Sequence, residues 1–266
     1  MNDQQGSLPL YQNLPPPSGW YVAAQSADLP PRGRLNICFL GQDLLLYRTT
    51  AGLARAVAPH CPHLGAHLGH NGTVQGELLR CEFHRFCFDS EGVCAATGYG
   101  TRPPKTARLT TFPTREQDGA ILVYHHPAGE PPSWEIPALD AQGWSPPHFH
   151  TFRLHGHPQD TTENSVDLGH FACVHGYRDV RVLTPARTEG PYLTARYAMQ
   201  RGLGPLAFRT EFTIHVHGLG YSMVDVEVKS HGIHSRQFVY ATPTEPDPPC
   251  PTLRRRPART VFPVRA

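Results

Sequence analysis

Over most of the chain the apolar positions alternate with polar ones or gather in short runs, and few recur at helical spacing. From Trp20 onward the pattern is that of strands. Leu35 to Leu40, a turn at Gly41-Gln42-Asp43 and Leu44 to Tyr47 predict a hairpin. Ala54 to Ala58 and Leu78-Leu79 are shorter apolar runs, and Ala120 to Tyr124 predicts a strand that closes a first all-β unit. A second set follows at Phe152–His155, Phe208–Val216, Tyr221–Val228 and Gln237–Ala241, with Val224, Val226 and Val228 on one face. Glu163 to His175 reads as a helix entered through Thr161 or Thr162 as N-cap. Between the two sets, Pro131-Pro132 and Pro146-Pro147 mark a linker. The organisation read from this pattern is a flexible leader at 1–18, a first domain at 19–126, a linker at 127–150, a second domain at 151–242 and a tail at 243–266. The tail holds seven prolines and five arginines without periodicity and predicts disorder.

Composition narrows the class. At 266 residues and 39% hydrophobic content there is room for one large or two ordinary domains. A net charge of +2 gives no reason to expect a nucleic-acid partner. The 28 prolines and 24 glycines favour short strands joined by turns. There is no apolar run of membrane-spanning length and no signal-like N-terminus, and the seven cysteines form no evident disulfide framework. A cytoplasmic location is the expectation.

Two short stretches carry the chemistry. Cys61-Pro62-His63 is followed after seventeen residues by Cys81-Glu82-Phe83-His84. Two thiolates and two imidazoles in two similar loops are the donor set of a Rieske [2Fe–2S] cluster, in which cysteines bind one iron and histidines the other. Neutral imidazole in place of thiolate raises the reduction potential, so the expected role is electron handling. A tetrahedral Cys2His2 zinc site uses the same residue types, but zinc ribbons and fingers favour other spacings. The second constellation is Asn164-x-x-Asp167-x-x-His170-x4-His175. Two imidazoles and a carboxylate make the face of a mononuclear Fe(II) site with open positions for oxygen and substrate. Five residues apart on an ideal helix, His170 and His175 point about 140° away from each other. The helix must therefore bulge or end between them. Asp167, three residues before His170, is placed to support it through a ring nitrogen.

Cys61-Pro-His-Leu-Gly-Ala-His-Leu-Gly69 with Cys81-Glu-Phe-His84 resembles the Rieske domain of the Rieske non-haem iron oxygenases. Arg85 departs from the glycine usual after the second histidine, and Ala66 and Phe83 stand where respiratory Rieske proteins carry a disulfide. Glu163-Asn-Ser-Val-Asp-Leu-Gly-His-Phe171 with Val174-His-Gly-Tyr177 is similar to the iron-binding segment of the α-subunits, nearest the sterol- and ketosteroid-oxidising branch that includes cholesterol 7-desaturases. The resemblance covers about residues 17–242.

It implies an α+β chain: an N-terminal all-β Rieske [2Fe–2S] domain followed by a partial helix-grip catalytic domain. It implies a [2Fe–2S] cluster on Cys61, His63, Cys81 and His84, and a mononuclear Fe(II) on His170 and His175. It also implies a head-to-tail homotrimer in which Asp167 bridges His170 to His84 of the neighbouring subunit. Electrons would come from NAD(P)H through a separate reductase or ferredoxin, since no glycine-rich dinucleotide motif is present. The reaction would be hydroxylation or desaturation of a hydrophobic, sterol-like substrate. The family's third iron ligand, a carboxylate on a late helix, has no match here: Asp179 is too close in sequence, Asp225 and Glu227 sit opposite a valine face, and Glu245 and Asp247 lie in the tail. The expectation is a catalytic domain that is C-terminally incomplete. The alternative is a cluster-bearing electron carrier or binding protein with an inactive mononuclear site.

Overall fold

The computed structural model describes residues 15–244 except His155, Leu203, Pro205 and Leu206, so most of the expected leader and nearly all of the expected tail lie outside the described residues. The chain divides into two compact units, Ser18–Pro146 and Pro147–Pro243.

The first unit is built from three antiparallel sheets. β1 (Gly19–Gln25), β10 (Thr114–Gln117) and β11 (Ala120–His125) form one, in the order β1-β11-β10. β2 (Arg34–Phe39), β3 (Gln42–Arg48), β4 (Ala54–Val57) and β9 (Thr111–Phe112) form the second in that order. β5 (Gly72–Gln75), β6 (Leu78–Cys81), β7 (Cys87–Phe88) and β8 (Cys94–Ala96) form the third. The predicted hairpin is β2–β3, but its turn is tighter than expected. Leu40 and Gly41 take φ of 49° and 80°, the two-residue geometry that matches strand twist.

The run Leu44-Leu45-Leu46-Tyr47 is continuous because β3 is covered on both faces. Leu44 and Leu46 pack with Tyr21, Ile121 and Val123. Leu45 and Tyr47 pack with Cys61, Leu68, Leu79, Cys81 and Phe88. The second of these cores therefore forms the floor beneath both cysteine motifs.

Arg48, at the end of β3, is the main buried charge of this unit. Its guanidinium donates to the carbonyls of Leu29 (2.7 Å), Gly52 (2.7 Å) and Ser26 (3.2 Å), and to both oxygens of Glu116 (2.7 and 2.8 Å). Arg48→Met is expected to cost about 3 kcal/mol in chemical denaturation, because it strips three carbonyls and leaves Glu116 unpaired. A loss below about 1 kcal/mol would show that Glu116 and the carbonyls are satisfied by water instead.

The proline-bounded segment after β11 has no regular secondary structure, yet it packs on this unit. Trp134 O accepts from Trp20 Nε1 at 3.1 Å, Glu135 pairs with Arg115 at 2.9 Å, and Ile136 is buried.

The second unit is a five-stranded antiparallel meander with two short helices. β12 (Arg178–Glu189), β13 (Tyr192–Arg201), β14 (Phe208–His217), β15 (Tyr221–Val228) and β16 (Ile233–Val239) pair in chain order. One face carries Ala195, Tyr197, Met199, Phe212, Ile214, Val216 and Val226, with Phe171 packed on it. The other face carries ionic pairs across the strands, Arg196 and Lys229 with Glu211, and Arg236 with Asp225. At the end of that face His217 is buried, which pushes its imidazole down to about 4, with His215 adding to the effect.

The predicted helix over 163–175 is two helices. α2 (Pro158–Asn164) is capped by His157, not by Thr161 or Thr162, and α3 (Leu168–Cys173) is capped by Asp167. The predicted strand at Phe152 is not formed among the described residues: Phe152 and Leu154 are exposed coil, and His155 lies outside the described residues.

Candidate iron–sulfur and mononuclear metal sites

The two cysteine motifs sit in loops of one design. Cys61 N–H donates to Ala66 O at 2.9 Å, and Cys81 N–H donates to Phe86 O at 2.8 Å, so each cysteine closes a loop onto the carbonyl five residues ahead. α1 (Leu68–Asn71) follows the first loop. Its cap is His67, whose Nδ1 accepts from Gly69 N and whose Nε2 lies 3.1 Å from Asp43 Oδ2. Arg34 holds the same turn through the carbonyls of Leu68 and Gly69. Glu82 N–H donates to Asn71 O at 2.9 Å and ties the second loop to the first.

The donors meet like with like. His63 Nδ1 and His84 Nδ1 are 3.2 Å apart. One metal with bonds of about 2.1 Å holds two nitrogens about 3.0 Å apart at a right angle and about 3.4 Å at a tetrahedral angle. Cys61 faces the Cys81 thiol, and burial pushes the Cys61 thiol up to about 11. A thiol in that environment becomes a thiolate only when bound cationic metal stabilises the charge. Two separate pairs suit two irons with one pair on each. A single zinc ion would draw all four donors to one point, and among the described residues no group of three or more His, Cys, Asp or Glu converges in that way. The donor set fits a [2Fe–2S] cluster.

Burial also separates the pairs. Both cysteines are buried, whereas both histidines are half-buried, which places the imidazole pair on the solvent side. The sequence did not single out the rings that hold them. Phe86 stacks on His63 at 4.5 Å with 11° between planes, and Tyr99 lies 6.0 Å from His63 and 5.9 Å from His84. Phe86 was visible only as one more aromatic beside the second motif, and Tyr99 stands in a glycine-flanked loop fifteen residues after His84.

In the second unit His170 and His175 come together as the spacing required. α3 ends at Cys173; Val174 N–H donates to His170 O and Tyr177 N–H to Phe171 O. Gly176 takes a φ of 68°, which reverses the chain. Past the end of α3, His175 Nε2 lies 3.0 Å from His170 Nε2, the separation of two nitrogens on one metal. Burial, then the His170 and Arg201 charges, hold the His175 imidazole below its ordinary value and keep it neutral, the form a metal needs. Phe171 anchors the helix on the sheet through Tyr197 and Phe212.

Asp167 sits at the N-cap of α3, outside the helix on which the sequence placed it. Its Oδ1 accepts from Gly169 N at 2.8 Å. Among the described residues, none of the other carboxylates considered joins the pair in a three-donor group. Asp179 pairs with Arg181 at 2.9 Å. Asp225 pairs with Arg236, and both Asp225 and Glu227 lie on the sheet face opposite Phe171. Glu245 and Asp247 lie outside the described residues. The residues at this site thus fit two of the three positions of a facial iron site.

Residues 19–113 match the Rieske [2Fe-2S] domain, and residues 123–249 match the 3-ketosteroid 9alpha-hydroxylase C-terminal domain. The chain belongs to the Rieske oxygenase family. It is 38% identical over 176 residues to a cholesterol 7-desaturase of Bombyx mori, covering 64% of this chain and 38% of that one. It is 29% identical over 163 residues to the oxygenase component of a 3-ketosteroid-9-alpha-monooxygenase of Rhodococcus rhodochrous, covering 59% and 43%. The chain thus spans about two fifths of the length of these curated relatives.

Among solved structures it is similar in fold to dicamba monooxygenase bound to dicamba, with a TM-score of 0.64, 24% identity and coverage of 85% of this chain and 72% of that one. It is also similar to Pseudomonas putida NdmA with caffeine, with a TM-score of 0.64, 19% identity and coverage of 91% and 72%. The family's cofactors are a [2Fe–2S] cluster and a mononuclear iron, and no described helix is long and apolar enough to cross a membrane.

Proposed function

We propose that this chain is the oxygenase component of a Rieske system that hydroxylates or desaturates a hydrophobic, sterol-like small molecule with O2. The observation that carries the reading is the pairing, in one chain, of two loops presenting Cys61, His63, Cys81 and His84 with a folded-back helix end presenting His170 and His175. When bound, the cluster supplies single electrons and the mononuclear iron supplies oxygen activation. The chain's own residues hold and orient these groups. Buried Cys61 and Cys81 keep one side of the cluster dry, and Phe86 and Tyr99 fix the imidazoles on the other. Asp167 is exposed beside His170 and is placed to link it with His84 of a neighbouring copy, which makes a head-to-tail homotrimer the working assembly. Leu168 and Val174, both exposed, flank the histidine pair with apolar surface suited to a hydrophobic ligand.

Electrons would arrive from NAD(P)H through a ferredoxin or reductase. The six described cysteines are free thiols, which suits a reducing, cytoplasmic setting. The sterol preference rests on the cholesterol 7-desaturase and 3-ketosteroid monooxygenase relatives.

A second reading, a cluster-bearing electron carrier, is favoured by one observation: among the described residues no carboxylate joins His170 and His175 in a three-donor group. Iron and acid-labile sulfide content of anaerobically prepared protein separates the two. The oxygenase reading expects three irons and two sulfides per chain, whereas two irons and two sulfides would leave the carrier.

A further inference from the structure

Arg85 follows the cluster-binding His84 directly and has a φ of 56°. That is the left-handed region, which glycine enters freely and a residue with a long side chain enters at a cost. The neighbouring loop makes room for the larger residue. Gly98 N–H donates to His84 O at 2.9 Å. A Cβ on Gly98 would come within 2.7 Å of that carbonyl and 3.1 Å of the Arg85 Cβ.

Arg85 is the only lysine or arginine between Cys81 and Thr101. Its side chain is exposed and has no hydrogen-bond or ion-pair partner among the described residues. The nearest acid in sequence, Glu82, is already held by Arg80 Nε and Nη2, each at 2.9 Å, and by the Thr73 hydroxyl. The fold therefore keeps a strained backbone that glycine would relieve, and it gains from it an exposed positive charge, attracted to Glu82 but not hydrogen-bonded to it, beside an imidazole that faces the cluster position.

We propose that Arg85 sets the reduction potential of the [2Fe–2S] cluster. Reduction adds one electron, supplied by the donor, to the cluster held by Cys61, Cys81, His63 and His84. The fixed charge of Arg85 stabilises the more negative, reduced form and raises the potential. This inference rests on the cluster reading above.

Three variants test it: Arg85→Gly, Arg85→Gln and Arg85→Lys. The cluster is titrated with dithionite and followed by visible circular dichroism and EPR, and each protein is also melted. The potential is expected to fall in Arg85→Gly and Arg85→Gln and to stay at the wild-type value in Arg85→Lys. The gap should narrow as salt is raised, because the charge is exposed. The melting temperature should rise only in Arg85→Gly, which alone relieves the strain. A normal cluster whose potential is indifferent to Arg85→Gln overturns the inference alone, as does a shift in Arg85→Lys as large as in Arg85→Gln. A wild-type protein that takes up no cluster overturns the functional reading, and this inference with it.

Discussion

Cys81→Ser is expected to remove the brown colour of anaerobically prepared protein and the EPR signal of its reduced form, and to lower iron by two equivalents per chain. The expectation follows from burial and pairing. Cys81 ends β6 inside the apolar floor formed by Leu68, Leu79 and Phe88. Serine at that position offers a hydroxyl that would have to ionise where burial already pushes the Cys61 thiol up to about 11. One thiolate and two imidazoles do not complete the ligation of two irons. Loss of the cluster should leave the other core of the first unit in place, because Leu44 and Leu46 pack with Tyr21, Ile121 and Val123 and not with the loops. Near-ultraviolet circular dichroism of the variant checks that. A colourless wild-type protein that binds one zinc would sink the assignment at its root.

What the sequence made legible follows the locality of the interactions. The cluster loops were readable because ligation demands particular residue types within a few positions, whatever the rest of the fold does. The β2–β3 hairpin, β11, β14 and β15 were readable because each has one or both faces buried and so carries apolar runs or alternation. β12 was not, since nearly all twelve of its residues are exposed at the sheet edge and nothing in Arg178–Glu189 alternates. The single helix expected over 163–175 failed for a different reason. Its apolar spacing is helical throughout, but the Asp167 side chain takes the Gly169 N–H and starts a new helix there. Phe152 and Leu154 read as a strand by composition, yet both are exposed coil. The requirement that the helix bulge or end between His170 and His175 was deduced from helix and metal geometry alone, and the end of α3 at Cys173 meets it.

His170→Ala is the counterpart of the cluster variant and should separate the two metal sites. Cluster-loaded protein titrated anaerobically with Fe(II) is expected to bind one further ion per chain. In His170→Ala that binding should weaken by at least about 100-fold, beyond the range seen when only supporting residues are lost. His175→Ala should behave in the same way. The two Nε2 atoms are 3.0 Å apart, so each imidazole supplies a cis position that the other cannot also fill. The cluster signal should be unchanged in both variants, since Cys61, His63, Cys81 and His84 belong to the other compact unit. Substrate-dependent oxygen consumption should fall with iron occupancy. Fe(II) affinity equal to wild type in both variants would mean that the iron sits elsewhere. In that case the 3.0 Å approach is a hydrogen bond between a donor and an acceptor imidazole. Loss of binding in both, with the cluster intact, would instead make the search for the anionic third ligand the next step. That search would begin with carboxylates outside the described residues or on a neighbouring copy, because Asp179, Asp225 and Glu227 are paired or on the wrong face.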